Sequence, residues 1–263
     1  MGAQTSQSLA ATRDFVAGAR GDAMAIAHGL FAAAVGLSGS QALRSQLCDS
    51  STDVALRQKL AESAFATLSD DVRDLVSRAV ARRWSRAEDL QAALEDMAIR
   101  FCATSNSESA DVVGELLAIS DFVHSNADVE LGLGSKRASA QARATLMKAF
   151  TDSHVSPEAA AIAQHLVTDP RGRRIGAMLY TAAEAVADQN GKGLAIVHVA
   201  TPLNDRQNAH VEAVLQDTFH RPHYVAQRID PSVVGGARIR VGDTVIDGSI
   251  ASRLKDLRTQ LAG

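Results

Sequence analysis

The sequence is poor in aromatic residues and cysteine, and each shortage excludes a class of protein. Aromatics make up 4% of the 263 residues, so a core must be built from Ala, Leu and Val, which suits packed helices better than a β-sandwich. The two cysteines, Cys48 and Cys102, cannot support a disulfide scaffold and are expected to be small buried hydrophobes in a reducing compartment. A net charge of −3 argues against a general nucleic-acid-binding protein.

Long hydrophobic runs are also missing. The most apolar run, 23–37, contains His28 and is shorter than the roughly 20 residues needed to span a bilayer. Asp14 and Asp22 argue against a secretory signal. Apolar residues inside the run recur at i, i+3 and i+4, which predicts a buried helix.

Apolar periodicity predicts a succession of helices up to about residue 188. Besides the 23–37 run, the residues that carry predicted helices in the first part of the chain are Leu9, Val16 and Ala19; Leu43 and Leu47; Leu56, Leu60 and Ala64; Val72, Leu75, Val76, Ala79 and Val80; and Leu90, Leu94, Met97, Ala98 and Phe101. A polar break at 104–109 separates this series from a second one.

The second helical series resembles the first at an offset of about 86 residues. The matched features are Leu47 with Leu133, Leu60 with Leu146, Leu75-Val76 with Ile162-Ala163, and the turn 82–86 with the turn 169–173. The offset predicts an internal duplication, with bundles at 1–104 and 105–190 and with the helix at 88–104 able to close the first and open the second. Similar bundle periodicity without common ancestry is the alternative.

A different pattern begins at residue 191. The segment 194–200 predicts a buried strand, and Asn204 with Gln207 has the form of a capping box that opens a helix. A second strand at 224–229 ends at Asp230-Pro231, because proline cannot donate to a strand ladder.

The stretch 233–254, VVGGARIRVGDTVIDGSIASRL, then alternates with period two. Ile239 lies on the apolar face and Arg238 and Arg240 on the polar face of a predicted strand. Gly242-Asp243 predicts a two-residue hairpin. Asp247 or Ser249 is expected to cap a last helix, whose apolar face would hold Ile250, Leu254, Leu257 and Leu261. The predicted fold class is therefore mainly α: tandem helical bundles followed by a small α/β domain at 191–263.

A search for chemistry predicts no catalytic residue, cofactor or metal. His220 and His223 need not converge on one ion, and no cluster of cysteines or carboxylates completes a site. Gly235-Gly236 could admit a phosphate, but no Lys-Ser/Thr follows, and the run leads into a strand. The arginine-rich turns at 82–86 and 171–174 are interpreted as solvated or paired. Trp84 is either half-buried or part of an interface.

The C-terminal stretch carries a family resemblance. Its matching elements are Asp230-Pro231, Gly235-Gly236, Gly242-Asp243, Ile246-Asp247-Gly248-Ser249 and Arg253-Leu254. Together they resemble the C-terminal signature of the ATP synthase delta subunit, whose mitochondrial counterpart confers oligomycin sensitivity. The usual delta subunit has one helical bundle before this module, whereas this chain has one more.

The resemblance implies a non-catalytic stator subunit on the cytoplasmic face of the bacterial membrane, present in one copy per ATP synthase. In that family the helical bundle receives the N-terminal helix of an alpha subunit, and the C-terminal module contacts the end of the b subunit. The expected alpha-contact residues are Leu9, Phe15 and Val16, or their counterparts from Leu94 to Phe101. The expected b contact lies near Arg253, Leu254 and Leu257. An unrelated helical adaptor, or an enzyme or ligand-binding protein with a site near Gly235-Gly236, is the alternative.

Overall fold

The computed structural model describes residues 2–105, 110–135, 137–152 and 154–248. The chain divides into two compact units, Met1–Val186 and Ala187–Gly263. The first unit is helical and the second contains a small mixed sheet, so the predicted fold class is confirmed.

Eleven helices precede the first strand in the described part of the chain. They are α1 Ala3–Gly18, α2 Ala23–Gly39, α3 Gln41–Cys48, α4 Val54–Ala64, α5 Asp70–Val80, α6 Ala87–Ser105, α7 Val112–Ser125, α8 Ala127–Gly134, α9 Ala140–Thr151, α10 Pro157–Thr168 and α11 Ile175–Gln189. Every helix that the sequence predicts before residue 188 is present.

Polar side chains begin several of these helices. The Asp22 carboxylate accepts hydrogen bonds from the Met24 and Ala25 amides, and Ser156 Oγ accepts one from Ala159 at the start of α10. Each such bond satisfies an amide that has no partner inside the helix. Pro157 occupies the first turn of α10, where its missing N–H costs nothing.

Helices α2 and α6 form the centre of the first unit. The predicted burial of α2 is confirmed, since Leu30, Ala33 and Leu37 are fully buried. On α6, Leu90 and Leu94 are fully buried as well. Burying a side chain of this size stabilises the fold by roughly 1.5–3 kcal/mol.

No single helix within the described residues is both long enough and apolar enough to be a candidate membrane span. Taken together, α2 and α3 pass the same test of length and composition, with a bend of 107° between them.

Helix α4 forms where the sequence predicts it but buries a different face. Leu56, one of the residues that predicted this helix, is 59% exposed, and Leu60 is only partly buried. The buried residues are Arg57 and Ala61. Arg57 is buried because its guanidinium donates to the carbonyl oxygens of Leu47 and Val80, at 3.3 and 2.7 Å.

The two helical series share their spacing. Helices α3 and α8 begin at residues 41 and 127, and α4 and α9 begin at 54 and 140, so both pairs are 86 residues apart. Arg143 of α9 also donates to carbonyl oxygens at two helix ends, to Ser135 after α8 and to Val167 in α10. Arg57 makes the matching bonds at the ends of α3 and α5. The duplication itself stays a prediction that this matching supports.

The second unit is a four-stranded sheet in the order β2-β1-β3-β4. Strand β1 (Gly193–Val199) pairs in parallel with β2 (His223–Ile229) and antiparallel with β3 (Ala237–Val241), which pairs antiparallel with β4 (Thr244–Asp247). Helix α12 (Asp205–Phe219) connects the two parallel strands, as a parallel pair requires.

One face of the sheet packs against α12. Ala195, Val197 and Ile239 from the strands join Val211 and Leu215 from the helix in one buried cluster. The predicted capping box of Asn204 and Gln207 is present at the start of α12. The predicted last helix, from Ile250 to Leu261, lies outside the described residues.

Candidate functional site

The signature residues Asp230 and Pro231 form the turn that ends β2. The Asp230 carboxylate accepts hydrogen bonds from the Ser232 amide and hydroxyl, at 2.9 and 2.6 Å, and these bonds lower the pKa of Asp230. The Asp230 amide donates to the Val199 carbonyl at 2.8 Å, which ties the turn to the end of β1.

The signature glycines occupy backbone conformations that side-chain-bearing residues rarely adopt. Gly235 and Gly236 have φ values of 64° and 77°, and Gly242 has a φ of 55°. Gly242 and Asp243 form the predicted two-residue hairpin, because Val241 pairs with Thr244 across it. These signature glycines therefore occupy turns.

The end of β4 holds two more signature residues. The Asp247 carboxylate accepts a hydrogen bond from Arg238 Nε at 3.3 Å, and the Gly248 amide donates to the Ala237 carbonyl at 2.9 Å. Both contacts fasten the end of the hairpin to β3. The remaining signature residues, Ser249, Arg253 and Leu254, and the expected contact residue Leu257, lie outside the described residues.

Of the expected alpha-contact residues, only Leu9 is partly exposed and the other four are buried. Phe15 and Val16 of α1 are 5% and 4% exposed, and Leu9 is partly exposed. Leu94 and Phe101 of α6 are 0% and 3% exposed. A partner could therefore touch Leu94 only if a helix of this chain moved aside, whereas α1 has an accessible side.

The accessible side of α1 borders a cavity of about 450 Å³. We call this surface the α1 edge, and it is lined by Gln4, Gln7, Ser8, Ala11, Ala81, Arg82 and Arg83. The guanidinium carbons of Arg78 and Arg82 lie 4.0 and 5.5 Å from the centre of the Phe15 ring. Sequence reasoning missed this surface because Gln4, Gln7 and Ser8 give no apolar signal.

Comparison with known proteins places the chain in a family. The family model described as "ATP synthase delta (OSCP) subunit" matches residues 97–261, more than half of the sequence. The chain belongs to the ATP synthase delta (OSCP) subunit family. It is accordingly a non-catalytic peripheral-stalk subunit of the membrane-bound ATP synthase, and an unrelated adaptor or ligand-binding protein is not favoured.

Individual relatives carry the same name. "ATP synthase subunit delta" of Leifsonia xyli subsp. xyli is 37% identical over 264 residues, and the alignment covers 100% of this chain and 100% of the relative. The same subunit of Streptomyces coelicolor is 33% identical over 245 residues, covering 92% of this chain and 89% of the relative. A chain of the Toxoplasma gondii mitochondrial ATP synthase hexamer is 20% identical with a TM-score of 0.39, covering 64% of this chain and 96% of its own length.

The delta (OSCP) family match begins inside α6. It includes the second helical series and the α/β unit but leaves out residues 1–96. The Leifsonia relative aligns over the whole chain, so the extra N-terminal helices are shared with at least that delta subunit.

In this delta-family chain the basic turn 171–174 is paired with a buried carboxylate. Glu95 of α6 accepts hydrogen bonds from Arg173 at 2.8 and 3.0 Å, lies 3.2 Å from His165 Nε2, and also accepts one from Arg171. Burial raises the pKa of Glu95, but hydrogen bonds from His165 and Arg173 and the charges of Arg171 and Arg173 lower it overall to about 2. The sequence left this turn as either solvated or paired, and the structure shows that Arg171 and Arg173 are paired.

The tryptophan, cysteines and histidines considered in the sequence analysis have the following surroundings in the structure. Trp84 is 7% exposed and donates to the Ala79 carbonyl at 3.0 Å. Burial raises the pKa of Cys48 to about 11 and that of Cys102 to about 12, so neither thiol is activated. Among the described residues no group of three His, Cys, Asp or Glu side chains is arranged to hold a metal ion. His220 ends α12 in the left-handed conformation, and His223 packs near Phe219.

Proposed function

We propose that this delta-family chain joins the N-terminal helix of the alpha subunit to the C-terminal end of the b subunit, at the cytoplasmic face of the bacterial membrane and in one copy per complex. The resemblance described above supports this arrangement. In this arrangement the chain holds the catalytic head still while the central rotor turns, and none of its residues transfers a proton or binds a nucleotide. The task is mechanical.

The alpha-subunit helix binds the α1 edge of the first series in this proposal. The supporting observation is the contrast between the two helices considered for this contact. Leu94 and Phe101 of α6 are buried within the chain, whereas α1 borders an open cavity lined by Gln4, Gln7 and Ala11. A partner helix needs an accessible surface, and the α1 edge offers one in which Ala11 and Ala81 are the apolar residues.

Burial of apolar surface is one contribution to how well the contact resists dissociation. A contact burying about 800 Å² of apolar surface contributes a gross term of roughly 20 kcal/mol, from which association costs are subtracted. A joint under torque requires slow dissociation, and most affinity differences between related complexes lie in the dissociation rate.

A synthetic peptide of the alpha-subunit N-terminal helix, titrated into the full chain by calorimetry, tests the alpha contact. Ala11→Arg places a long cation in the α1 edge and is expected to abolish binding. Ala17→Arg makes the same change at an exposed position on another side of α1 and is expected to leave binding unchanged. If the wild-type chain does not bind the peptide, or if Ala11→Arg binds as wild type, the assignment to α1 is wrong.

The b-subunit contact is proposed for the C-terminal segment near Arg253, Leu254 and Leu257. The apolar spacing of this segment and its place in the family signature support the proposal. A chain truncated after Gly248 should fold, by circular dichroism, but should no longer bind the b subunit. Retained b binding would show that the contact lies elsewhere.

The doubled helical region is proposed to be two copies of one unit that share α6, with bundles at 1–104 and 105–190 before the α/β domain at 191–263. The common spacing of α3 with α8 and of α4 with α9 supports this proposal. So do the matching bonds of Arg57 and Arg143.

A further inference from the structure

The second helical series contains a cavity with a basic lining. The cavity has a volume of about 540 Å³ and lies where the end of α8, the first turn of α9 and the turn 169–174 meet. Its described lining consists of Arg143, Arg171 and Arg173 together with glycine, serine and proline, and it contains no carboxylate. Small-molecule sites typically have volumes of roughly 300–1,000 Å³. This basic cavity can therefore admit a small ligand, and its lining favours one with negative charge.

A buried carboxylate fixes two of the three arginines. Arg173 donates to both oxygens of Glu95, at 2.8 and 3.0 Å, and Arg171 donates to one of them. The Glu95 side chain is 7% exposed, whereas that of Arg173 is 40% exposed at the cavity. Each guanidinium carries more N–H donors than these bonds use, and Arg171 Nε has no hydrogen-bond partner among the described residues. Glu95 therefore holds the two guanidiniums in place and leaves donors for a ligand.

The cavity keeps an excess of positive charge. Arg143 donates only to backbone carbonyl oxygens near the ends of α8 and α10, and it forms no ion pair with a described residue. The three guanidiniums thus outnumber the two carboxylates, Glu95 and Asp169, that pair with them. Ser135 Oγ accepts a hydrogen bond from the Arg137 amide at 3.2 Å, which leaves its O–H to donate. Charge and donors both select an anion.

The first series has apolar residues at the matching positions. At the offset of 86 Leu9 corresponds to Glu95, and the match of the turns 82–86 and 169–173 places Trp84 at the position of Arg171. The Trp84 indole is 7% exposed. A buried ion pair is often no more stabilising than an apolar contact in its place. Stability alone therefore does not explain why the second series has the charged pair, whereas recognition of an anion does.

The backbone of the turn is strained where it enters the cavity. Arg171 has a φ of 51° and Gly172 a φ of 76°, and the Arg173 amide donates to the Pro170 carbonyl at 2.8 Å across them. A residue with a side chain rarely adopts a positive φ. Such residues cluster at active sites and ligand clamps, where the surrounding structure holds them in place. The strained position is thus a residue that lines the cavity and is held by Glu95.

We propose that the basic cavity binds a phosphate-type oxyanion, to which Arg171 and Arg173 donate hydrogen bonds while Arg143 adds charge and Ser135 a hydroxyl donor. Guanidiniums suit phosphate because they donate charge-assisted, parallel hydrogen bonds to its oxygens. A tetrahedral oxyanion fits better than an acidic peptide, because the donors come from separate segments around one small volume. The phosphate can be free or carried by a small ester. This inference goes beyond the proposed stator function and does not depend on it.

The test measures binding of inorganic phosphate and of glycerol 3-phosphate to the full chain, by calorimetry and thermal melts at constant ionic strength. Either compound should raise the Tm of the wild-type chain above that in sodium chloride. Ser135→Glu places a carboxylate in the cavity and should abolish binding, whereas Ser135→Gln adds similar bulk without charge and should bind. Arg173→Gln should weaken binding about tenfold, with partial rescue by Arg173→Lys. Lys148→Gln removes an exposed charge of α9 outside the lining and should bind as wild type.

The two compounds distinguish the sources of the phosphate. Tighter binding of inorganic phosphate indicates free phosphate, and tighter binding of glycerol 3-phosphate indicates an ester. The proposal is wrong if neither compound binds the wild-type chain, or if Ser135→Glu binds them as tightly as wild type. It is also wrong if a hexaglutamate peptide binds more tightly than both, since the occupant is then an acidic protein segment. Circular dichroism verifies that each variant is folded, and none of these outcomes bears on the alpha-subunit titration.

Discussion

Phe31 stacks on His165 with an interplanar angle of 20° and joins helices from the two series. Phe31 belongs to α2 and His165 to α10, and the imidazole also lies beside the buried carboxylate of Glu95 on α6. Three helices thus meet at one ring pair. Residues Met1–Val186 accordingly form a single compact unit.

Replacing Phe31 tests the cooperativity of this unit. The ring is 5% exposed, so Phe31→Ala should lower the free energy of unfolding by about 3–5 kcal/mol through lost burial and a cavity. Phe122→Ala removes a ring that is 42% exposed and should cost about 1 kcal/mol. When chemical denaturation is monitored through the helix content, both variants should still show a single unfolding transition for the helical unit. A new early transition that covers only the first series would show that the series fold independently.

The arginines that close the helix ends should be equivalent in the two series. Arg57→Met leaves carbonyl oxygens without a donor at a buried site, and Arg143→Met does the same at a partly buried one, at a cost of about 1–3 kcal/mol per orphaned group with the lower end expected for Arg143. Lysine should not rescue either site, because one ammonium cannot reach carbonyls at two helix ends as a guanidinium does. Urea denaturation measures both variants against Lys59→Met, which should unfold like wild type.

Glu95 should make the helical unit acid-labile. Its pKa is lowered from 4.5 to about 2 in the folded state, so the unfolded chain binds the proton more tightly than the folded chain. The stabilisation is therefore fully present above about pH 4.5 and is lost as the pH falls from there towards 2, and its size is about 3 kcal/mol.

Glu95→Gln is the matching variant for this pH dependence. It should unfold more readily than wild type at pH 7, since Arg171 and Arg173 lose the carboxylate that they share. The difference between the two proteins should decrease as the pH falls below about 4, because the unfolded wild-type chain then gains a proton at Glu95 and the carboxylate loses its advantage. Thermal melts of both proteins from pH 7 to pH 3 measure this difference in stability. A difference that stays constant over this range would contradict the lowered pKa of Glu95.

The cysteines should react slowly in the folded protein. With pKa values raised to about 11 and about 12, Cys48 and Cys102 are almost entirely protonated at pH 8. Cys102 is fully buried and Cys48 is not, so a maleimide should modify Cys48 first and Cys102 only after denaturation. Mass spectrometry after timed labelling distinguishes the two sites. Rapid modification of Cys102 in the native protein would show that α6 is far less protected than its burial indicates.

Much of the fold was predictable because its signals are local. The apolar spacing in α5 and α6, the capping box of Asn204 and Gln207 and the turn at Gly242-Asp243 each depend on residues within a few positions of one another. The buried face of α4 was not predictable, since Arg57 is buried only because carbonyls from α3 and α5 surround it. Leu56, the stronger apolar signal, remains exposed.

By itself, the sequence determined the family, the helical region, its repeat spacing and the turns of the α/β unit, because these depend on residue type and local spacing. Only the tertiary structure decided that β1 lies between β2 and β3, that Glu95 accepts hydrogen bonds from Arg171 and Arg173 beside His165, and that α2 packs against α6 and α10. The physical reason is that these contacts join residues far apart in the chain, whose meeting depends on how whole helices and strands pack.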